Sequence, residues 1–169
     1  MPQITIEQAF DLALRQHRAG RLREAENLYR QILAQRPAHV DALHFLGVIA
    51  HQMGRNDIAV DLIRRAIALR PSYAEAHSNL GKVLRDKGQL DQAIAEFRQA
   101  IALNPKLPEA LSNLGDSLRG KGQLDEAIAA YRQAVALRGG DAEAHNSLGN
   151  ALKEGGELDQ AIASYRQAV

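Results

Sequence analysis

The sequence predicts an all-α chain built from repeated antiparallel helix pairs, and three observations carry that prediction. The first is a fixed step: Gly47, Gly81, Gly115 and Gly149 stand 34 residues apart, and so do Gly20, Gly54, Gly88, Gly122 and Gly156. Ala25, Ala59, Ala93, Ala127 and Ala161 keep the same register, as do Pro37, Pro71 and Pro105. Self-similarity at such a period is the mark of a stacked array. The second is apolar spacing of helical period in both halves of the step. The third is composition: alanine, leucine, arginine, glutamate and glutamine abound, whereas the chain has 3 phenylalanines and no tryptophan. That mixture favours helix over sheet.

Taken in order, the repeats fall at 6–39, 40–73, 74–107, 108–141 and 142–169, the last one truncated, and together they form one array over residues 1–169. In the first, Ala13 takes the place that glycine holds later, and Arg23 stands where later repeats have aspartate, so its second helix should start less sharply. In the second, Gly47, Asp57 and Ile63 set the pattern. The third shows it fully. Ala76, Leu80, Val83 and Leu84 make the stripe of a first helix, and Lys87-Gly88 ends it, because glycine accepts the left-handed conformation of a helix terminus. Asp91 is expected to cap the second helix. Ala93, Ile94, Phe97, Ala100 and Ile101 form the buried stripe of that helix, and Pro105 stops it. The fourth repeats this with Asp125 and Tyr131, but Gly139-Gly140 replaces the proline. The fifth, with Asp159 and Tyr165, stops at Ala168-Val169 inside its second helix. An uncapped array end leaves a stripe uncovered. The chain therefore reads as a fragment of a longer protein, with self-association through that helix expected.

Mid-helix glycine lowers helix propensity by roughly 1 kcal/mol. At 47, 81, 115 and 149 the expected compensation is close approach of the partner helix, with Tyr29, Ile63, Phe97, Tyr131 and Tyr165 filling the space beside it.

Composition excludes several function classes. The chain is 46% hydrophobic and 24% charged, with a net charge of +1, which offers no general attraction to nucleic acid or an anionic membrane. No apolar run is long enough to cross a bilayer. The start "MPQITIEQAF" has no apolar signal core, and there is no cysteine, so a cytoplasmic protein without disulfides is expected. His44 and His51 lie seven apart, and His17 should approach His51, but no carboxylate or close histidine pair completes a metal site. No catalytic spacing is present, and no cofactor is expected.

His77-x-x-Leu80-Gly81-x-x-Leu84, then Ala93-x-x-x-Phe97, then Pro105, resembles the tetratricopeptide repeat, with histidine or leucine in place of its usual first tryptophan. The resemblance covers residues 6–169. It implies a right-handed superhelical solenoid whose first helices line a concave groove that binds peptides or proteins without catalysis. In the family, positions 2, 5, 6, 9, 12 and 13 of each repeat face that groove. Position 2 reads Glu7, Asp41, Glu75, Glu109, Glu143 and position 12 reads His17, His51, Arg85, Arg119, Lys153. These rows serve the helix macrodipole or act as two charged rails for an extended ligand. Positions 5, 6 and 9 give Phe10, Leu14, Phe45 and Val48 in the first two repeats, and Ser78, Asn79, Lys82, Ser112, Asn113 and Asp116 later. The groove should be apolar at its N-terminal end, where an anchor side chain would dock or the Met1–Ile4 tail would pack, and polar beyond.

The stretch "AEAHSNLGKVLRDKGQLDQAIAEFRQAIALNP" is also similar to repeats in the arm of O-linked N-acetylglucosamine transferases, where stacked asparagines receive substrate protein. That similarity implies roles for Asn79 and Asn113, although Phe45 and Ser147 break the ladder. The carboxylate clamp known from chaperone-binding members fits poorly, because acids stand where it needs bases. RNA binding is opposed by the acidic row. The sequence thus points to a non-catalytic scaffold, with Phe10, Leu14, Phe45, Val48, Asn79, Lys82, Arg85, Asn113 and Arg119 as candidate ligand contacts. The alternative it leaves open is the substrate arm of a glycosyltransferase.

Overall fold

A computed structural model describes residues 5–168. Among them are ten α-helices and no strand: α1 Ile6–Arg18, α2 Leu22–Gln35, α3 Val40–Gln52, α4 Asn56–Leu69, α5 Ala74–Asp86, α6 Leu90–Leu103, α7 Pro108–Gly120, α8 Leu124–Leu137, α9 Ala142–Glu154 and α10 Leu158–Gln167. They divide into two compact units, one running to Val83 and the other beginning at Leu84.

Each hairpin turn is closed the same way. Gly20, Gly54, Gly88, Gly122 and Gly156 adopt φ between 73° and 82°, a region in which a Cβ would be strained. The next amide then reaches back five residues, as from Arg21 to the Gln16 carbonyl (3.0 Å) and from Gln123 to the Leu118 carbonyl (3.0 Å). This paired closure satisfies carbonyls that the helix end leaves orphaned.

The second helices begin differently from the expectation. Their N-caps are Arg21, Arg55, Gln89, Gln123 and Glu157, none with a side-chain capping bond. Asp57, Asp91, Asp125 and Asp159 sit in the first helical turn instead, where they complement the dipole without capping. Several first helices are capped by side chains: Thr5 forms a capping box with Gln8, and His39 and Asp141 accept from the Ala42 and Ala144 amides.

In the first unit, α1 packs on α2, α2 on α3 and α3 on α4. In the second, α6 packs on α7, α7 on α8, α8 on α9 and α9 on α10. A Cβ added to Gly47 would stand 2.6 Å from Ile63 Cγ1, one on Gly115 2.6 Å from the Tyr131 ring, and one on Gly149 2.5 Å from the Tyr165 ring. The glycines are therefore where the paired helix presses closest. Ala13 fills the same role above Tyr29, both fully buried.

Candidate functional site

The first-helix face of the first unit is aromatic. Phe10 lies 5.8 Å from Tyr29, 5.2 Å from the His39 ring and 6.0 Å from Phe45, and Phe45 stacks on Tyr29 at 6.0 Å with planes 12° apart. His17 meets Phe45 edge-on at 6.2 Å. Phe10, Leu14, Phe45 and Val48 are all half-buried, so each keeps an apolar edge toward solvent. The Met1–Ile4 tail, which could cover them, lies outside the described residues. His17 lies at the rim of this cluster. Its Nε2 meets Gln52 Oε1 at 3.0 Å.

Asn79 belongs to a chain of polar groups that the sequence reading missed. Its Nδ2 is 2.8 Å from His44 Nε2, and His44 Nδ1 is 3.0 Å from the Tyr73 hydroxyl. That hydroxyl bonds to Asp41, whose carboxylate is held by Arg70 through two bonds of 3.0 and 3.3 Å. The Arg70 guanidinium lies 4.8 Å above the Tyr73 ring. His44 is 2% exposed, and burial pushes its imidazole down to about 4. Burial raises Asp41, but Arg70 and the Tyr73 hydroxyl more than offset that and hold it low. The missed signal was Tyr73, the only tyrosine immediately before a first helix.

The first-helix face of the second unit is polar and internally bonded. Asn113 Oδ1 accepts from Arg85 Nη1 at 2.7 Å, while its Nδ2 donates to the Glu109 carbonyl at 2.6 Å. Asp116 accepts from Arg85 (3.2 Å) and from the Tyr131 hydroxyl (2.6 Å). Arg119 reaches Glu154 at 3.3 Å. Lys82, in the first unit, is half-buried.

Several members of the charged rows have partners within the fold. Asp41 pairs with Arg70, and Glu109 with Arg138 at 2.6 Å. Glu7 is held low by a backbone hydrogen bond and the Thr5 hydroxyl, with Arg36 adding to it. Arg36, Arg70 and Arg138 recur at the repeat's step or twice it, each just beyond a second helix. Asp41 and Glu109 thus each tie the two helices of their own repeat together. No cluster of metal-ligating side chains occurs among the described residues, and no described helix is long and apolar enough to cross a membrane.

Comparison with known proteins accords with this geometry. A family model described as "TPR repeat" matches residues 81–119 and 115–156, and one described as "Tetratricopeptide repeat" matches residues 16–83. No curated protein sequence matches the chain. Among solved structures, the chain is similar to a MamA crystal structure at 27% identity and TM-score 0.83, covering 92% of this chain and 91% of that one. It is similar to MamA from Desulfovibrio magneticus RS-1 at 22% identity and TM-score 0.85, covering 96% of this chain and 92% of that one. It is also similar to YrrB, described as a TPR protein with an unusual peptide-binding site, at 21% identity and TM-score 0.77, covering 97% of this chain and 84% of that one.

Proposed function

The chain belongs to the tetratricopeptide-repeat family, and on that premise we propose that it is a non-catalytic, cytoplasmic scaffold that binds an extended peptide along its first helices. The observation that supports this most is the aromatic cluster of Phe10, Phe45 and Tyr29, whose outer members remain half-exposed. Clustered rings with an open edge suit an apolar anchor residue, and peptide sites are commonly built on such anchors. In this reading Phe10, Leu14, Phe45 and Val48 hold the anchor. Asn79 and Lys82 hydrogen-bond the segment beside it, and Arg85, Asn113 and Arg119 are proposed as polar ligand contacts of the second unit taken by itself. The kinship with YrrB, a protein described as having a peptide-binding site, favours the same class of ligand.

The test is selection of peptides from a random display library, followed by amide chemical-shift mapping. Selected peptides should perturb α1, α3 and α5, and Phe45→Leu should weaken them more than Leu69→Ala does. Peptides that perturb only the second helices would exclude the proposal. Phe10 and Phe45 also pack on the core, so every variant is compared at matched thermal stability.

The second reading, the recognition arm of an O-linked N-acetylglucosamine transferase-like enzyme, rests on the wording of residues 74–105 alone. Self-association through α10 has an observation of its own. Ile162 is 49% exposed, whereas its counterparts Ile94 and Ile128 are 6% and 3% exposed, and Leu158 beside it is 59% exposed. Sedimentation of the wild type against Ile162→Lys tests it.

A further inference from the structure

Asn79 is one of the proposed contacts, but an asparagine side chain has two chemically opposite ends. Which end faces outward decides what it can read. The polar chain behind it settles the matter from its charged terminus. Asp41, ionised beside Arg70, can only accept, so the Tyr73 O–H donates to it. The Tyr73 oxygen is then left to accept, and the group 3.0 Å away is His44 Nδ1, which must carry the proton. A neutral imidazole protonated at Nδ1 has an accepting Nε2. Of the two ends of Asn79, only the NH₂ group can satisfy that nitrogen, across 2.8 Å. The carbonyl is thereby turned away from the ring.

We propose that the Arg70–Asp41–Tyr73–His44 relay locks the Asn79 side chain with Oδ1 outward, making this position a hydrogen-bond acceptor that selects N–H donors, such as a ligand's backbone amide, and disfavours carbonyls and carboxylates. His44 and Tyr73 are positioning residues here and touch no ligand. Asn113 is different. Each end of its amide already makes a bond, to Arg85 and to the Glu109 carbonyl, so its orientation is set by groups other than an imidazole relay. The ligand half of this inference rests on the peptide-binding reading above, but the relay itself does not.

The experiment is long-range ¹H–¹⁵N correlation of the imidazoles in the intact chain at pH 7. His44 is expected as the Nδ1–H tautomer, with Nε2 bare and the Asn79 NH₂ protons shifted by its lone pair. Asn79→Asp, nearly isosteric, puts a carboxylate oxygen where the donor was. It should draw a proton onto Nε2 and move the ring's titration up by about 1–3 pH units. Tyr73→Phe removes the acceptor at Nδ1 and should leave a tautomer mixture; should that variant not fold, Asn79→Asp decides alone. Nε2 protonated in both the wild type and Asn79→Asp would overturn the relay. If the tautomer is as expected but selected peptides leave Asn79 unperturbed, the peptide-binding reading fails and the relay stands.

Discussion

In the first unit the Tyr29 ring lies under Phe10 and Phe45, fully buried, and its hydroxyl has no partner. In the second unit the tyrosine at the same place in the repeat, Tyr131, donates to Asp116 at 2.6 Å, and Tyr165 does so to Asn150 at 2.8 Å. The difference traces to one position on the first helix. Asp116 and Asn150 supply an acceptor, but the corresponding residue of the first repeat is Leu14. One hairpin geometry thus supports two surfaces, aromatic in the first unit and ion-paired in the second. The backbone repeat fixes where side chains emerge, and the choice of residue there fixes what they can bind.

The largest test of this contrast is acid. Burial places His44 at about 4 when folded, against about 6.5 when unfolded. The unfolded chain therefore holds the extra proton between those values, and stability that is full above pH 6.5 falls as the pH drops toward 4. At ~1.4 kcal/mol per unit the loss is about 3 kcal/mol. The groups facing His44 are Asp41 on its own helix, Arg70 and Tyr73 after α4, His17 from α1 and Asn79 from α5. Glu26 (held low by its Arg55 hydrogen bond) and Asp41 add to the loss with the same sign, and both lie in the first unit. Hydrogen exchange at pH 4.5 should show α1–α4 opening before α7–α10, and His44→Gln should remove most of the His44 increment. Uniform opening would break the contrast.

Packing comes next. Gly115→Ala drives a methyl into the Tyr131 ring and is expected to destabilise by about 1–2 kcal/mol, because overpacking exceeds the gain in helix propensity. Ala13→Gly at the matching place destabilises by about 1 kcal/mol for the opposite reason, the loss of propensity in a site that already accommodates the methyl. Urea denaturation of both variants checks the pair.

A smaller effect has opposite signs in the two units. Tyr131→Phe loses a bond to a carboxylate and should destabilise by about 1 kcal/mol. Tyr29→Phe deletes a buried, unpartnered hydroxyl and should be neutral or stabilising. Equal losses at the two positions would show that the Tyr29 hydroxyl has a partner in solution. Smallest is Arg119→Ala: its pair with Glu154 is largely exposed, and such pairs contribute about 0–1 kcal/mol. Thermal unfolding should move little.

Much of this was legible in the sequence because repeat constraints are local. The turn glycines and the glycine-to-aromatic contacts follow from spacing alone. The second-helix caps did not follow, because Asp91 and its equivalents lie two residues further in than the capping position, and composition does not resolve that offset. The charged rows were visible, but their partners were not. Arg70 is 29 residues from Asp41 in sequence and meets it only once the hairpin has closed. The role of His44 depends on Tyr73, which no periodic row contains. Asn79 and Asn113 share a repeat position, yet their neighbours at that distance along the chain differ, and these decide which amide end is free.

The five turns that close each hairpin, from Gly20 to Gly156, draw every bond they need from the half-dozen residues around them. A recombination event joining one such turn to another would therefore splice the chain in frame and recreate the same junction. The number of hairpins can change by duplication or loss without inventing a new connection, so the length of the array is a property that heredity can adjust in whole steps.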